Sequence, residues 1–144
     1  MRLDRHAMMM GMAEVAALRG TCSRLQVGAV ISRDGRCIST GYNGNVSGVA
    51  HCSHDMDLGC ETAMHAEANA IAFASRYGVA IEGADLYCTH EPCYHCSRLI
   101  INAGIKRVFF ITPYRKHEGV ELLLLVGIEV FRLNEDYSLY SVRR

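Results

Sequence analysis

Apolar residues near the start of the chain recur at helical spacing: Met8, Met9, Met12, Val15, Ala16 and Leu18. That pattern predicts a helix over residues 3–19 with these side chains turned into the core. Two apolar runs follow, QVGAVIS (26–32) and RCISTGYN (36–43), flanking Arg33, Asp34 and Gly35. An Asp-Gly pair between β-branched runs marks a hairpin. From Gly41 to Glu61 the periodicity lapses. It returns in an alanine-rich helix over 63–78 that Gly78 closes. Strands are expected at 83–90, 105–112 and 128–133, with helices between them at 93–104 and 119–127. Alternating strands and helices imply right-handed crossovers and parallel pairing. The reading is therefore an α/β protein: a three-layer α/β/α domain spanning 1–144, whose mixed five-stranded sheet carries helices on both faces.

Composition narrows the partners. The chain has 144 residues, half of them hydrophobic, enough for one domain with a sizeable core. Fifteen basic residues balance fifteen acidic ones. Proteins that clamp a nucleic acid backbone carry a basic excess, so a small polar substrate is expected and a nucleic acid partner is not. No stretch approaches the ~20 apolar residues that span a bilayer, so no membrane partner is expected. The N-terminus has a positive start and an apolar middle, as signal peptides do. Arg2, Asp4, Arg5 and Glu14 interrupt it and favour a helix carried into the domain. Seven cysteines make an odd number. Several cluster with histidines, so metal binding in a reducing cytoplasm accounts for them better than disulfides.

The densest chemistry lies in EPCYHC (91–96). Cys93 and Cys96 fall at the start of a helix, and a Cys-x-x-Cys pair alone serves redox motifs and zinc sites equally. His65-Ala66-Glu67, at another helix start, decides between them. One imidazole and two thiolates make three protein ligands and leave a fourth tetrahedral position open, as in a catalytic zinc site. Helix N-termini favour the thiolates. Glu67 stands two residues from His65, free to carry protons to and from a water whose pKa zinc lowers toward ~7. A structural Cys-rich knuckle or a redox pair would leave His65 or Glu67 idle. His90 and His95 read as neighbours of the site, and Cys37 and Cys88 as small buried hydrophobes.

The combination H-x-E…P-C-x-x-C is the signature of zinc-dependent nucleobase deaminases. VGAVISRDGRCISTGYNG, HAEANAIAFASRYG, GADLYCTHEPCYHCSRLIINAGIKRVFF and GVELLLLVGIEVF extend the likeness over residues 26–131. The chain resembles the deoxycytidylate deaminase family of the cytidine deaminase-like fold, with GYNG (41–44) the more specific part. The resemblance implies hydrolytic removal of the 4-amino group of dCMP, giving dUMP and ammonia, with Glu67 catalytic. It places Asn43 and Ala66 at the nucleoside, Ser23 and Arg24 at the 5′-phosphate, and Tyr114 near the substrate. It also implies a second, structural Zn2+ held by Cys22, Cys52, Cys60 and His54, with His51 as the alternative fourth ligand. Relatives are commonly homohexamers activated by dCTP and inhibited by dTTP, so the resemblance implies a homo-oligomer, with Phe73 and Arg76 at the matching effector and subunit contacts. NVSG (45–48) lacks the proline and arginine of many regulated members. Two other activities stay open: dual action on dCMP and dCTP, and tRNA adenosine-type editing, which the charge balance opposes. A zinc scaffold without catalysis is the third alternative, and the intact Glu67 speaks against it.

Overall fold

A computed structural model describes residues 1–53 and 60–143. Helix α1 runs Arg5–Ala17, and the Asp4 side chain caps it by accepting from the backbone N–H groups of His6 and Ala7. Strands β1 (Gly28–Arg33) and β2 (Arg36–Tyr42) form the expected antiparallel hairpin. Its turn residues Asp34 and Gly35 have φ of 52° and 72°, the left-handed pair that a tight primed turn requires. Then come α2 (Ala66–Arg76), β3 (Asp85–His90), α3 (Tyr94–Asn102), β4 (Arg107–Thr112), α4 (Glu118–Leu125), β5 (Glu129–Leu133) and β6 (Leu139–Val142).

The sheet order is β2-β1-β3-β4-β5-β6. β3, β4 and β5 are parallel to one another, while β1 meets β3, and β5 meets β6, in antiparallel pairs. The α/β class and the mixed sheet match the sequence reading, with six strands where five were expected. β6 is four residues long and mostly exposed, so it has no alternation to read; its pairing with β5 alone makes it a strand.

The alternating strand residues feed two cores. On one face Ile31, Leu86, Cys88, Val108 and Val130 pack with Ala66, Ala70, Ile100 and Leu123 from α2, α3 and α4. On the other, Val30, Tyr87, Phe109 and Leu133 pack with Met9, Met10 and Ala13 of α1. Here the expected orientation of α1 is corrected. Its buried residues are Ala7, Met9, Met10, Ala13 and Ala17. Met8, Met12, Val15 and Leu18 are 37%, 41%, 67% and 72% exposed. The reason is close packing: a Cβ at Gly28 would lie 1.9 Å from the Ala13 carbonyl oxygen. At that crossing the helix turns its small residues Ala13 and Ala17 to the strand, while Met9 and Met10 pack further along the sheet. Gly41 does the same for α2, since its Cβ would fall 2.2 Å from the Ala66 carbonyl oxygen. Gly41 thereby sets the height at which the first turn of α2 stands over the sheet. Among the described residues no helix is long and apolar enough to cross a membrane.

Candidate active site

Two helix starts meet at the end of β3. His65 is the N-cap of α2, with Ala66 and Glu67 in the first turn; Cys93 is the N-cap of α3, and its Sγ accepts from the Cys96 N–H. His65 Nδ1 lies 3.4 Å from Cys93 Sγ and 3.5 Å from Cys96 Sγ. A tetrahedral ion with bonds of about 2.3 Å to sulfur and about 2.0 Å to nitrogen spaces its donors by roughly 3.5 Å. The three donors therefore fit zinc, with their ligand atoms all within 4.8 Å of one another. Hydrogen bonding from Cys96, then from His65, draws the Cys93 thiol well below its ordinary value, while Cys96 is pushed up as it keeps the proton that the pair shares.

Glu67 is 4% exposed, and burial raises its carboxyl above the usual carboxylate range. One effect opposing that rise is a hydrogen bond from the Cys88 thiol, itself fully buried on β3. The sequence reading took Cys88 as a small hydrophobe and missed this contact. The strand pattern marks the position as inward, and only the three-dimensional register brings α2 over it.

The site opens into a cavity of ≈ 130 Å³ lined by Asn43, Arg24, Tyr114, Ala66, His65 and Glu67 among others. Four of the five residues expected at the substrate thus gather there, and Ser23 does not line it. Arg24 and Tyr114 are exposed at its rim. Asn43 is buried and occupied: its Oδ1 accepts from Val27 N–H at 2.8 Å and its Nδ2 donates to the Leu25 carbonyl at 2.6 Å. Beyond facing the cavity, it holds the loop that leads from Cys22 into β1. His90 also lines the cavity, with Nδ1 2.9 Å from Thr89 Oγ1, and burial lowers its pKa. Glu91, buried, meets His117 Nδ1 at 2.8 Å and so joins the approach to Cys93 to the start of α4. That pairing spans 26 residues and leaves no sequence signal. His95 is exposed, edge-on to Tyr94.

Beside the cavity the sulfurs of Cys22, Cys52 and Cys60 lie within 4.8 Å of one another. Burial pushes the Cys60 thiol up, but hydrogen bonds from Ala63, Thr62 and Cys52 outweigh it and bring it to about 6. Three such thiols fit a second zinc, which wants four ligands. His54 lies outside the described residues, and His51 is exposed beside a separate cavity of ≈ 550 Å³. Phe73 lines that second cavity and stacks on Tyr77, while Arg76 is exposed, its guanidinium 5.8 Å from the Tyr77 ring centre.

A buried carboxyl beside three convergent zinc donors, on a mixed sheet with helices on both faces, defines the zinc-dependent hydrolases that deaminate nucleobases. Residues 3–112 match the family model described as the cytidine and deoxycytidylate deaminase zinc-binding region. The deoxycytidylate deaminase of Mycobacterium phage D29 is 41% identical over 124 residues, covering 76% of this chain and 95% of the phage protein. The ComE operon protein 2 of Bacillus subtilis is 39% identical over 147 residues, covering 99% of this chain and 78% of its own length. Among solved structures, the dCMP deaminase of cyanophage S-TIM5 in complex with dCMP and dUMP superposes with a TM-score of 0.85 at 32% identity, covering 92% of this chain and 99% of that one. The chain belongs to the cytidine and deoxycytidylate deaminases, in the deoxycytidylate deaminase family.

Proposed function

We propose that this protein hydrolyses dCMP to dUMP and ammonia. The observation that carries this reading is the convergence of His65, Cys93 and Cys96 with the buried Glu67 in one narrow cavity. Zinc held by those three residues supplies the Lewis acidity that activates water near neutral pH. Glu67 takes a proton from the attacking water as its oxygen bonds to C4 of the pyrimidine. It passes that proton to N3, then takes the second proton of the same oxygen and gives it to the 4-amino group, so that C4–N4 breaks, the oxygen stays as the C4 carbonyl and ammonia leaves. Its raised pKa suits both halves of that task, because a carboxyl titrating nearer neutrality gives up a proton as readily as it takes one. Arg24 at the rim offers the charge that a 5′-phosphate needs, and Tyr114 offers a hydroxyl. The mixed thiol and imidazole chemistry suits a reducing cytoplasm.

The test is ammonia release from dCMP, dCTP, CMP and deoxycytidine side by side. dCMP is expected to be turned over best. Glu67→Gln should lower kcat by about 10²–10⁴ while the protein keeps its zinc, as loss of a general acid–base group does. Equal turnover of deoxycytidine would remove the phosphate role of Arg24. Full activity of the Gln variant would overturn the mechanism.

A further inference from the structure

Glu91 is a costly residue where it stands. Its side chain is 3% exposed, two residues before Cys93, where a carboxylate loses hydration and adds negative charge beside the thiols. What it does there is hold a loop at both ends. Its backbone N–H donates to the carbonyl of Thr112, the last residue of β4, at 2.8 Å. Its Oε2 accepts from Nδ1 of His117, the N-cap of α4, at 2.8 Å. Between those two anchors lie Pro113, Tyr114, Arg115 and Lys116, all exposed. The His117 side chain does not cap its own helix, which leaves the imidazole to Glu91. The start of α4 has little room to drift: a Cβ at Gly119 would lie 2.5 Å from the Pro92 carbonyl oxygen. Behind the loop is a cavity of ≈ 330 Å³, lined by Glu91, Pro113 and His117 among others. A loop backed by open space takes its position from its anchors. Glu91 and Tyr114 also line the active-site cavity, while His117 stands outside that lining.

We propose, resting on the reading of dCMP as the substrate, that Glu91 is a positioning residue for the nucleotide. By closing the segment 113–116 through His117, it sets Tyr114 at the mouth of the active-site cavity. A tyrosine on a loose loop has to be ordered each time a nucleotide enters, and that ordering is taken from affinity. Held in advance, it costs nothing further on binding. The effect falls on binding rather than on bond breaking. Neither Glu91 nor His117 belongs to the group of zinc donors, and the proton carrier Glu67 stands on a different helix, α2.

The test measures kcat and KM for dCMP on the zinc-loaded full chain. His117→Ala should raise KM by about tenfold, the order that a lost hydrogen bond to a charged group carries. Its kcat and zinc content should stay close to those of wild type, as when only binding is weakened. His117→Asn, whose amide nitrogen can stand near the place of Nδ1, should recover most of the loss. In a Tyr114→Ala background His117→Ala should add nothing to KM, because the residue through which it acts is gone. A second readout is trypsin cleavage after Arg115 or Lys116, which needs no nucleotide and so stands apart from the assay of dCMP hydrolysis. His117→Ala should be cut faster than wild type there, as a loop freed at one end opens more often. Equal cleavage rates, or an unchanged KM, would overturn the proposal. So would a loss confined to kcat, or a rise in KM that persists in full without Tyr114.

Discussion

Glu67 has to be both buried and able to hold a proton, and Cys88 adjusts the balance. The thiol donates to the carboxylate and so favours its charged form against the burial that disfavours it. Replacing Cys88 with Ala removes the donor without adding volume at this fully buried position. The carboxylate then loses a stabilising partner, its pKa rises further, and the acid limb of the kcat/KM profile should move to higher pH. Turnover at neutral pH should fall a few-fold, and Cys88→Ser, which restores a donor, should recover part of it. A profile that does not move would show that Cys88 only fills space. The convergence of His65, Cys93 and Cys96 was legible in the sequence because zinc chemistry restricts residue type and spacing so tightly. Cys88, Glu91 and His117 were not, because a hydrogen bond between residues far apart in the chain leaves no local pattern.

At the scale of elements, both helix placements are set by glycines in the hairpin. Gly28 admits α1 and Gly41 admits α2, each with a backbone carbonyl where a side chain would otherwise stand. Gly28→Ala is therefore expected to force α1 off the sheet, with a loss on the order of the 1–3 kcal/mol that overpacking costs. Thermal unfolding would read it; an unchanged melting temperature would mean that the helix shifts freely. The strands and helices themselves were readable from periodicity, and so was the primed turn at Asp34-Gly35. The inward face of α1 was not, because methionine weighs more than alanine in any hydrophobic pattern. Met9 and Met10 do face inward, but Ala13 and Ala17 join them because the glycine opposite draws the helix close. β6 escaped notice for the opposite reason: its four residues bury too little to pattern.

Across the whole molecule, Cys22, Cys52 and Cys60 come together from three segments: the approach to β1, the loop after β2 and the approach to α2. Cys22 and Cys60 also line the active-site cavity. Metal analysis is expected to give two zinc ions per chain, and Cys60→Ser one. That variant should melt at a lower temperature and bind dCMP less tightly, since one wall of the cavity loses its tie. A single zinc in the wild type would leave the three thiols as an unliganded cluster.

The placement of His65 on α2 and of Cys93 and Cys96 on α3 has a consequence for biogenesis. The histidine and the thiols belong to separate strand-to-helix passages, joined only when β3 has docked against β1. On a chain emerging from the ribosome, Cys22, Cys52 and Cys60 precede His65, and the donors of the catalytic site are complete only once residue 96 has followed. An ion held by all three donors of that site can therefore be gripped only after β1, β2 and β3 have been made.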